Sequence, residues 1–234
     1  VRDVMPGAEM KNRRFTALQQ KLARPPGILG RDQYSLSAIL VPLISIKGEE
    51  HLLFEKRAAH IRQGGEVCFP GGHYDSKKDG SYLDTALRET YEELGIQRDF
   101  VNIIGQLDTL VSPRGVLIEC FLGAVDIVGL DELILDKEEV NEVFSVPVKW
   151  FVENPPEVYH TRVETQSSYT DEQGNTKILL PVEDLGLPAH YKNKRGQWIY
   201  KVVLYRRDPW IIWGLTAAIV ENMVNQLFRR DCKS

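Results

Sequence analysis

Residues Ser37–Ile46 form a nearly continuous apolar run without regular polar alternation, the pattern of a strand buried on both faces. Lys47-Gly48-Glu49-Glu50 supplies a turn, and His51–Arg57 returns as a second strand, so a hairpin is predicted here. Two more strands are expected over Phe100–Leu110 and Val116–Val125, joined by the loop Val111-Ser112-Pro113-Arg114-Gly115. Between the two strand pairs, Leu83, Leu87, Thr90 and Leu94 recur at helical spacing. Ser81 is the expected N-cap of that helix, with Asp84 three residues later as in a capping box, and Gly95 is its left-handed stop.

The ends of the chain read less sharply. Residues 1–30 are expected to form a helical cap, with an amphipathic helix around Met10–Leu22 and a break at Pro25-Pro26-Gly27. The main domain then covers 31–234, with an insert at about 152–200. In the insert, Pro155-Pro156 and the polar run Ser167–Thr176 suggest a loose-tipped hairpin, and His160–Glu164 and Trp198–Tyr205 read as strands. Asp208 as N-cap and Pro209 at the first helical position are expected to open a last helix over Trp210–Arg230. Gly214 would then lie inside a helix, where glycine costs ~1 kcal/mol against alanine, so close packing is its expected role.

Composition narrows the function. The 234 residues carry a net charge of −4 and no long Lys/Arg run, which argues against a nucleic-acid surface. No apolar run reaches the ~20 residues that span a bilayer, so no membrane partner is expected. Three widely spaced cysteines, Cys68, Cys120 and Cys232, suggest neither a disulfide framework nor a zinc site. No secretory signal is expected, and the cytoplasm is the expected location. A homodimer is left open.

The chemistry is concentrated in FPGGHYDSKKDGSYLDTALRETYEELGI, residues 69–96. The helical apolar face implies an opposite side that presents Glu89, Glu92 and Glu93 within one turn. Exposed carboxylates so placed repel by a few tenths of a kcal/mol per pair, a cost that an oxygen-preferring Mg²⁺ or Mn²⁺ removes. Arg88 can pair with Glu92 at i,i+4 or orient Glu89 from beside it. Gly71 and Gly72 allow close backbone approach and can turn a carbonyl toward a cation. Arg57 and Arg62 lie just upstream and suit phosphate oxygens. A solvated acidic helix face is the plain alternative.

The spacing Arg88-Glu89-x-x-Glu92-Glu93-x-Gly95-Ile96, preceded by Gly71-Gly72, resembles the box of the Nudix family, G-x5-E-x7-R-E-U-x-E-E-x-G-U with U aliphatic. Thr90 takes one aliphatic position. The stretch from Gly72 to Arg88 is two residues longer than usual, Gly80 falls where the first Glu belongs, and Asp79 or Asp84 is left to replace it. Upstream, LLFEKRAAHIRQGGEVCFPGG at residues 52–72 resembles the signature of the family's coenzyme A diphosphatase branch, L-L-T-x-R-[SA]-x3-R-x3-G-x3-F-P-G-G. Leu53, Arg57, Ala58, Arg62 and Phe69-Pro70-Gly71-Gly72 match; Phe54 takes the second Leu position, Glu55 stands in place of Thr, and the Arg62-to-Phe69 stretch is one residue short. Glu139, with Glu142 in reserve, lies in a segment resembling the family's E-V-x-E-V-F-x-V-P. Ile212–Ala217 resembles its I-W-G-x-T-A motif.

The resemblance implies an α+β Nudix fold, a mixed β-sheet sandwiched between α-helices. It implies hydrolysis of a small-molecule nucleoside diphosphate linked to another moiety, most specifically coenzyme A or a derivative, cut to 3′,5′-ADP and 4′-phosphopantetheine. In that reading Glu89, Glu92 and Glu93 hold Mg²⁺ or Mn²⁺, Glu92 or Glu139 removes a proton from water, Arg88 orients the acids, and Arg57, Arg62, Gly71 and Gly72 bind the substrate. ADP-ribose, a dinucleotide or an oxidised nucleotide is the alternative substrate. A nucleotide-sensing domain without turnover and a purely structural module are the alternative functions.

Overall fold

The computed structural model describes Thr16, residues 27–192 and residues 195–229, with the backbone alone described at 195–197. The chain divides into two compact units, Val1–Tyr34 and Ser35–Ser234. The helix expected around Met10–Leu22 lies outside the described residues except for Thr16, which is helical and exposed.

The larger unit is built on an eight-stranded mixed sheet. Its strands are β1 (Ser35–Ile46), β2 (Glu49–Arg57), β3 (Val67–Cys68), β4 (Gly71–His73), β5 (Val101–Gln106), β6 (Leu110–Ser112), β7 (Val116–Val125) and β8 (Val140–Pro147). The central path runs β3-β2-β1-β7-β5, with β4 on β1, β6 on β7 and β8 on β2. β1 and β7 run parallel over Ser35–Leu43, and the other pairs are antiparallel. Among the described residues three α-helices complete the layers: α1 (Tyr82–Leu94), α2 (Val148–Glu153) and α3 (Gly214–Leu227).

The apolar runs are unbroken because each neighbouring pair of residues feeds a different core. Leu52 and Phe54 of β2, with Cys120 and Leu122 of β7, pack into one cluster with Phe151 of α2 and Val220, Met223 and Val224 of α3. Leu53 of β2, Leu40 and Ile44 of β1 and Phe121 of β7 face the other way, into a cluster with Ala86 and Leu94 of α1. A sheet covered on both sides needs apolar residues at successive positions, since side chains alternate faces along a strand. Phe54 anchors the first core, stacking on Phe69 at 4.8 Å and Phe144 at 5.5 Å between ring centroids.

A second, three-stranded antiparallel sheet follows, ordered β13-β12-β9, from β9 (Glu157–Thr165), β12 (Arg195–Arg207) and β13 (Trp210–Trp213). Between β9 and β12 the polar run forms a small hairpin of β10 (Ser168–Thr170) and β11 (Thr176–Ile178).

Three sequence expectations are corrected here. Asp208-Pro209 does not open a helix: it forms the turn between β12 and β13, with a cis Asp208–Pro209 peptide bond. Trp210–Trp213 pairs with Leu204–Arg207, so the β preference of Trp-Ile-Ile-Trp is satisfied by a strand partner the helical reading did not see. The helix begins at Gly214, whose φ of +63° suits glycine, and a Cβ there would meet no atom within 4 Å, so close packing is not its role. The strand expected over Phe100–Leu110 is also two: β5 ends at Gln106, and the chain bends so that Leu107 N–H donates to the Cys120 carbonyl at 2.9 Å before β6 begins. No helix among the described residues is long and apolar enough to cross a membrane.

Candidate active site

Helix α1 is capped at both ends. Ser81 Oγ accepts the Asp84 N–H at 3.1 Å and donates to Asp84 Oδ2 at 2.8 Å. Gly95 closes the helix with φ +74° and donates its N–H to the Tyr91 carbonyl. The fixed helix lies against β1 and β4, burying Thr85, Ala86, Leu87, Thr90 and Leu94.

Glu93 is buried with them, only 2% exposed, which corrects the expectation that α1 presents all three acids on a side opposite its buried face. Its place on the wheel, beside Thr90 and Ala86, turns it toward β4, where Oε2 accepts the Gly71 N–H at 2.9 Å. Glu89 is half-buried and Glu92 exposed, so the acids form a gradient from sheet to solvent. Burial raises the Glu93 carboxyl above the ordinary range, and the nearby Glu55 charge raises it further. Glu89 is raised more mildly, again by burial first.

Arg88 binds the outer acids. Its Nη1 donates to Glu89 Oε1 at 2.8 Å and to Glu92 Oε2 at 2.9 Å, so it makes both pairings that the spacing allowed. Its other face forks onto Asp79, Nε to Oδ1 at 2.8 Å and Nη2 to Oδ2 at 3.0 Å. Asp79 also accepts Thr85 Oγ1 at 2.9 Å and the Asp75 N–H at 3.1 Å. Asp84 is occupied elsewhere, with Arg98 Nη1 at 2.7 Å. Of the two acids left to fill the missing box position, Asp79 is the one that holds Arg88.

The glycines sit where side chains would collide. At Gly71, with φ +155°, a Cβ would overlap the Ala38 carbonyl oxygen and lie 2.7 Å from Ile39 Cα. At Gly72 it would overlap the Glu89 carboxylate. The strand turn and the acidic helix are therefore in direct apposition.

Strand β2 adds two groups. Leu53, Glu55 and Arg57 alternate onto one face, the face on which Leu53 joins the α1 core. Arg57 Nε donates to the Arg62 carbonyl at 3.3 Å, and its cation favours the charged forms of Glu55 and Glu93. Arg62 itself is exposed and touches the site through its backbone. Glu55 was not among the sequence candidates. It is fully buried, accepts Cys68 Sγ at 3.1 Å on Oε1, and has no hydrogen-bond partner on Oε2 among the described residues. A charged residue inside the apolar LLFEKR strand was the signal that could have found it.

From β8's approach, Glu139 is exposed, and its negative charge acts on both Glu55 and Glu89. Its side chain makes no ion pair among the described residues, whereas the reserve candidate Glu142 is held by Lys56 Nζ at 3.0 Å. Ser112 is 2% exposed, and its Oγ accepts the Arg114 N–H at 3.2 Å within the turn.

Among the described residues no three His, Cys, Asp or Glu side chains already converge as a metal cage. Glu89 and Glu92 each give one carboxylate oxygen to Arg88 Nη1. The donor chemistry nevertheless fits a hard divalent ion: carboxylate oxygens at a glycine turn, one buried acid driven toward its neutral form, and one buried oxygen without a partner.

Comparison with known proteins gives a consistent pattern. A family model described as NUDIX domain matches residues 34–199. The chain is 30% identical over 205 residues to the mitochondrial coenzyme A diphosphatase NUDT8 of Mus musculus, covering 87% of this chain and 82% of that one. It is 32% identical over 212 residues to an uncharacterized Nudix hydrolase, NudL, of Photorhabdus laumondii, covering 89% and 93%. It is 34% identical over 125 residues to Nudix hydrolase 3 of Caenorhabditis elegans, covering 50% of this chain and 49% of that one. The chain thus spans about half the length of the worm protein, and 66% of the Homo sapiens NUDT8.

Proposed function

The chain belongs to the Nudix hydrolase family, and from that premise we propose that it hydrolyses the pyrophosphate of coenzyme A or its derivatives, giving 3′,5′-ADP and 4′-phosphopantetheine. The substrate reading is supported by the relatives named as coenzyme A diphosphatases and by the Arg57, Arg62 and Phe69–Gly72 signature. The catalytic reading is carried by one observation: Glu93, buried and bonded to Gly71 N–H, places an acid beside Gly72 and Glu89 at the end of β4.

Glu89 and Glu93, with Glu92 at the rim, would hold Mg²⁺ or Mn²⁺. Such an ion supplies charge neutralisation for the diphosphate and makes a water easier to deprotonate. Glu139 takes the proton from the attacking water, because its carboxylate makes no ion pair among the described residues while Glu92 is bound by Arg88. The water oxygen attacks phosphorus in line, the bridging P–O bond breaks, and the electron pair leaves with the second phosphate. Arg57, supplemented by Arg62, offsets the charge spread over the phosphoryl oxygens. Arg88, held by Asp79, keeps Glu89 and Glu92 in register. A cytoplasmic location belongs to the same proposal, and the free thiols of Cys68 and Cys120 support it only as far as a reducing compartment.

The test is a product assay over coenzyme A, acetyl-coenzyme A, ADP-ribose, a diadenosine polyphosphate and an oxidised nucleotide, each with Mg²⁺ and with Mn²⁺. Release of 3′,5′-ADP from the coenzyme A compounds at the highest kcat/KM supports the proposal. A preference for ADP-ribose moves the substrate to the other branch, and no turnover of any compound overturns the hydrolase assignment.

A further inference from the structure

Resting on the cation-dependent reading above, we infer that Glu55 is an additional acid of the cation site, placed beneath Glu93 by strand β2. Three independent features of its position lead there. First, alternation along β2 puts Glu55 on the face that packs against α1, the face of Leu53 and not of Phe54. Second, Glu55 and Glu93 are anchored to the two ends of one four-residue segment, Cys68-Phe69-Pro70-Gly71. Cys68 Sγ donates to Glu55 Oε1 at 3.1 Å, and Gly71 N–H donates to Glu93 Oε2 at 2.9 Å. Third, Glu55 is 0% exposed, yet its Oε2 has no hydrogen-bond partner among the described residues. A buried carboxylate oxygen left unpaired costs at least the desolvation of the group, so a strand core would not ordinarily keep it. The electrostatics agree: burial raises the Glu55 carboxyl above its ordinary range, with Glu139 and Glu89 adding to the rise, and Glu55 is in turn the largest charged influence on Glu93.

A residue kept only for packing at this point would be apolar, like Leu53 two residues before it. Threonine, which stands at this place in the pattern the chain otherwise resembles, could accept the Cys68 hydrogen bond without adding charge. Glutamate instead sets a second carboxylate within electrostatic reach of Glu93, so the buried surroundings of Glu93 can carry more negative charge than the helix acids alone supply. The consequence is tighter cation binding. Glu55 either contacts the ion or strengthens Glu93's hold on it; both raise affinity, and neither requires Glu55 to touch the diphosphate.

The experiment titrates MnCl₂ into the full chain, without substrate, for the wild type, E55Q, E55T and E93Q. Free Mn²⁺ is read by electron paramagnetic resonance, and the urea midpoint of each metal-free protein is recorded beside it. The expected result is a Mn²⁺ Kd at least tenfold weaker in both E55Q and E55T, with metal-free midpoints equal to or above that of the wild type. If the wild type binds Mn²⁺ and E93Q weakens it while E55Q and E55T bind as the wild type does, Glu55 is a core residue and only this inference falls. If either Glu55 variant binds normally but unfolds at lower urea, its role is packing and the inference falls likewise. If the wild type binds no Mn²⁺ at all, the cation-site reading itself fails and takes this inference with it.

Discussion

Arg88 grips Asp79 with two parallel hydrogen bonds, 2.8 Å from Nε and 3.0 Å from Nη2, while its remaining nitrogen spans Glu89 and Glu92. The loop between β4 and α1 therefore supplies the acid that locks the helix arginine, and that lock sets where the outer carboxylates point. A planar guanidinium can serve both sides at once; a lysine could not.

Replacing Asp79 should expose this dependence. Asp79→Asn leaves the buried side of Arg88 without its counter-charge, and a loss of roughly 2 kcal/mol or more is expected. Urea denaturation would show it as a lower midpoint with an unchanged slope. Because Glu89 and Glu92 lose their register as well, kcat should fall more than KM rises. An Asp84→Asn change removes the charge from the exposed pair with Arg98, leaves an amide oxygen that can still accept the Ser81 hydroxyl, does not touch Arg88, and should leave kcat as it is.

The same pair sets the acid limb of stability. The Arg88 fork, joined by the Asp75 N–H and Thr85 hydroxyl, holds the Asp79 carboxyl well below its ordinary 3.8. A depressed carboxyl binds fewer protons folded than unfolded, so its contribution is full above pH 3.8 and declines as pH falls below that value. Thermal melts from pH 6 to pH 2 should show a steep loss below about pH 4 in the wild type, and a shallower one in Asp79→Asn. Parallel curves would show that the ion pair is not what titrates.

Glu93→Gln should remove catalysis and spare the fold. Glutamine keeps an oxygen to accept the Gly71 N–H and replaces an acid whose ionisation is disfavoured by burial with a permanently neutral group, so the metal-free protein should be at least as stable. If the charge supplies ~3 kcal/mol to the transition state, kcat falls ~10²-fold. A folded variant with unaltered kcat would remove the helix acids from the reaction.

Gly71→Ala tests the contact between sheet and turn. The added methyl meets backbone atoms of Ala38 and Ile39, which cannot move without parting β4 from β1. Destabilisation of about 2 kcal/mol or more is expected, together with a displaced Glu93. Gly48→Ala, also at positive φ but with nothing within 4 Å, carries only the conformational cost and should be milder.

Local chemistry on its own determined the helix α1, since Ser81, Asp84 and Gly95 act within a few residues of where they stand. The same holds for the hairpin β1-β2, whose apolar runs and Lys47-Gly48 turn need no distant partner to be read. The grouping of Arg88, Glu89, Glu92 and Glu93 was legible too, because helical spacing converts directly into neighbours. Tertiary structure decided what depends on a surface brought from elsewhere. Whether Glu93 is wet or buried depends on β4 closing over α1, and the wheel alone cannot state it. Whether Asp79 or Asp84 meets Arg88 depends on the path of a loop longer than the usual spacing. Trp210–Trp213 became a strand because β12 was there to pair with it, and Glu55 became part of the site because alternation along β2 turned it toward the acids of another element. Burial and long-range pairing are properties of the packed chain, so residues whose roles rest on them are silent until the sheet is assembled.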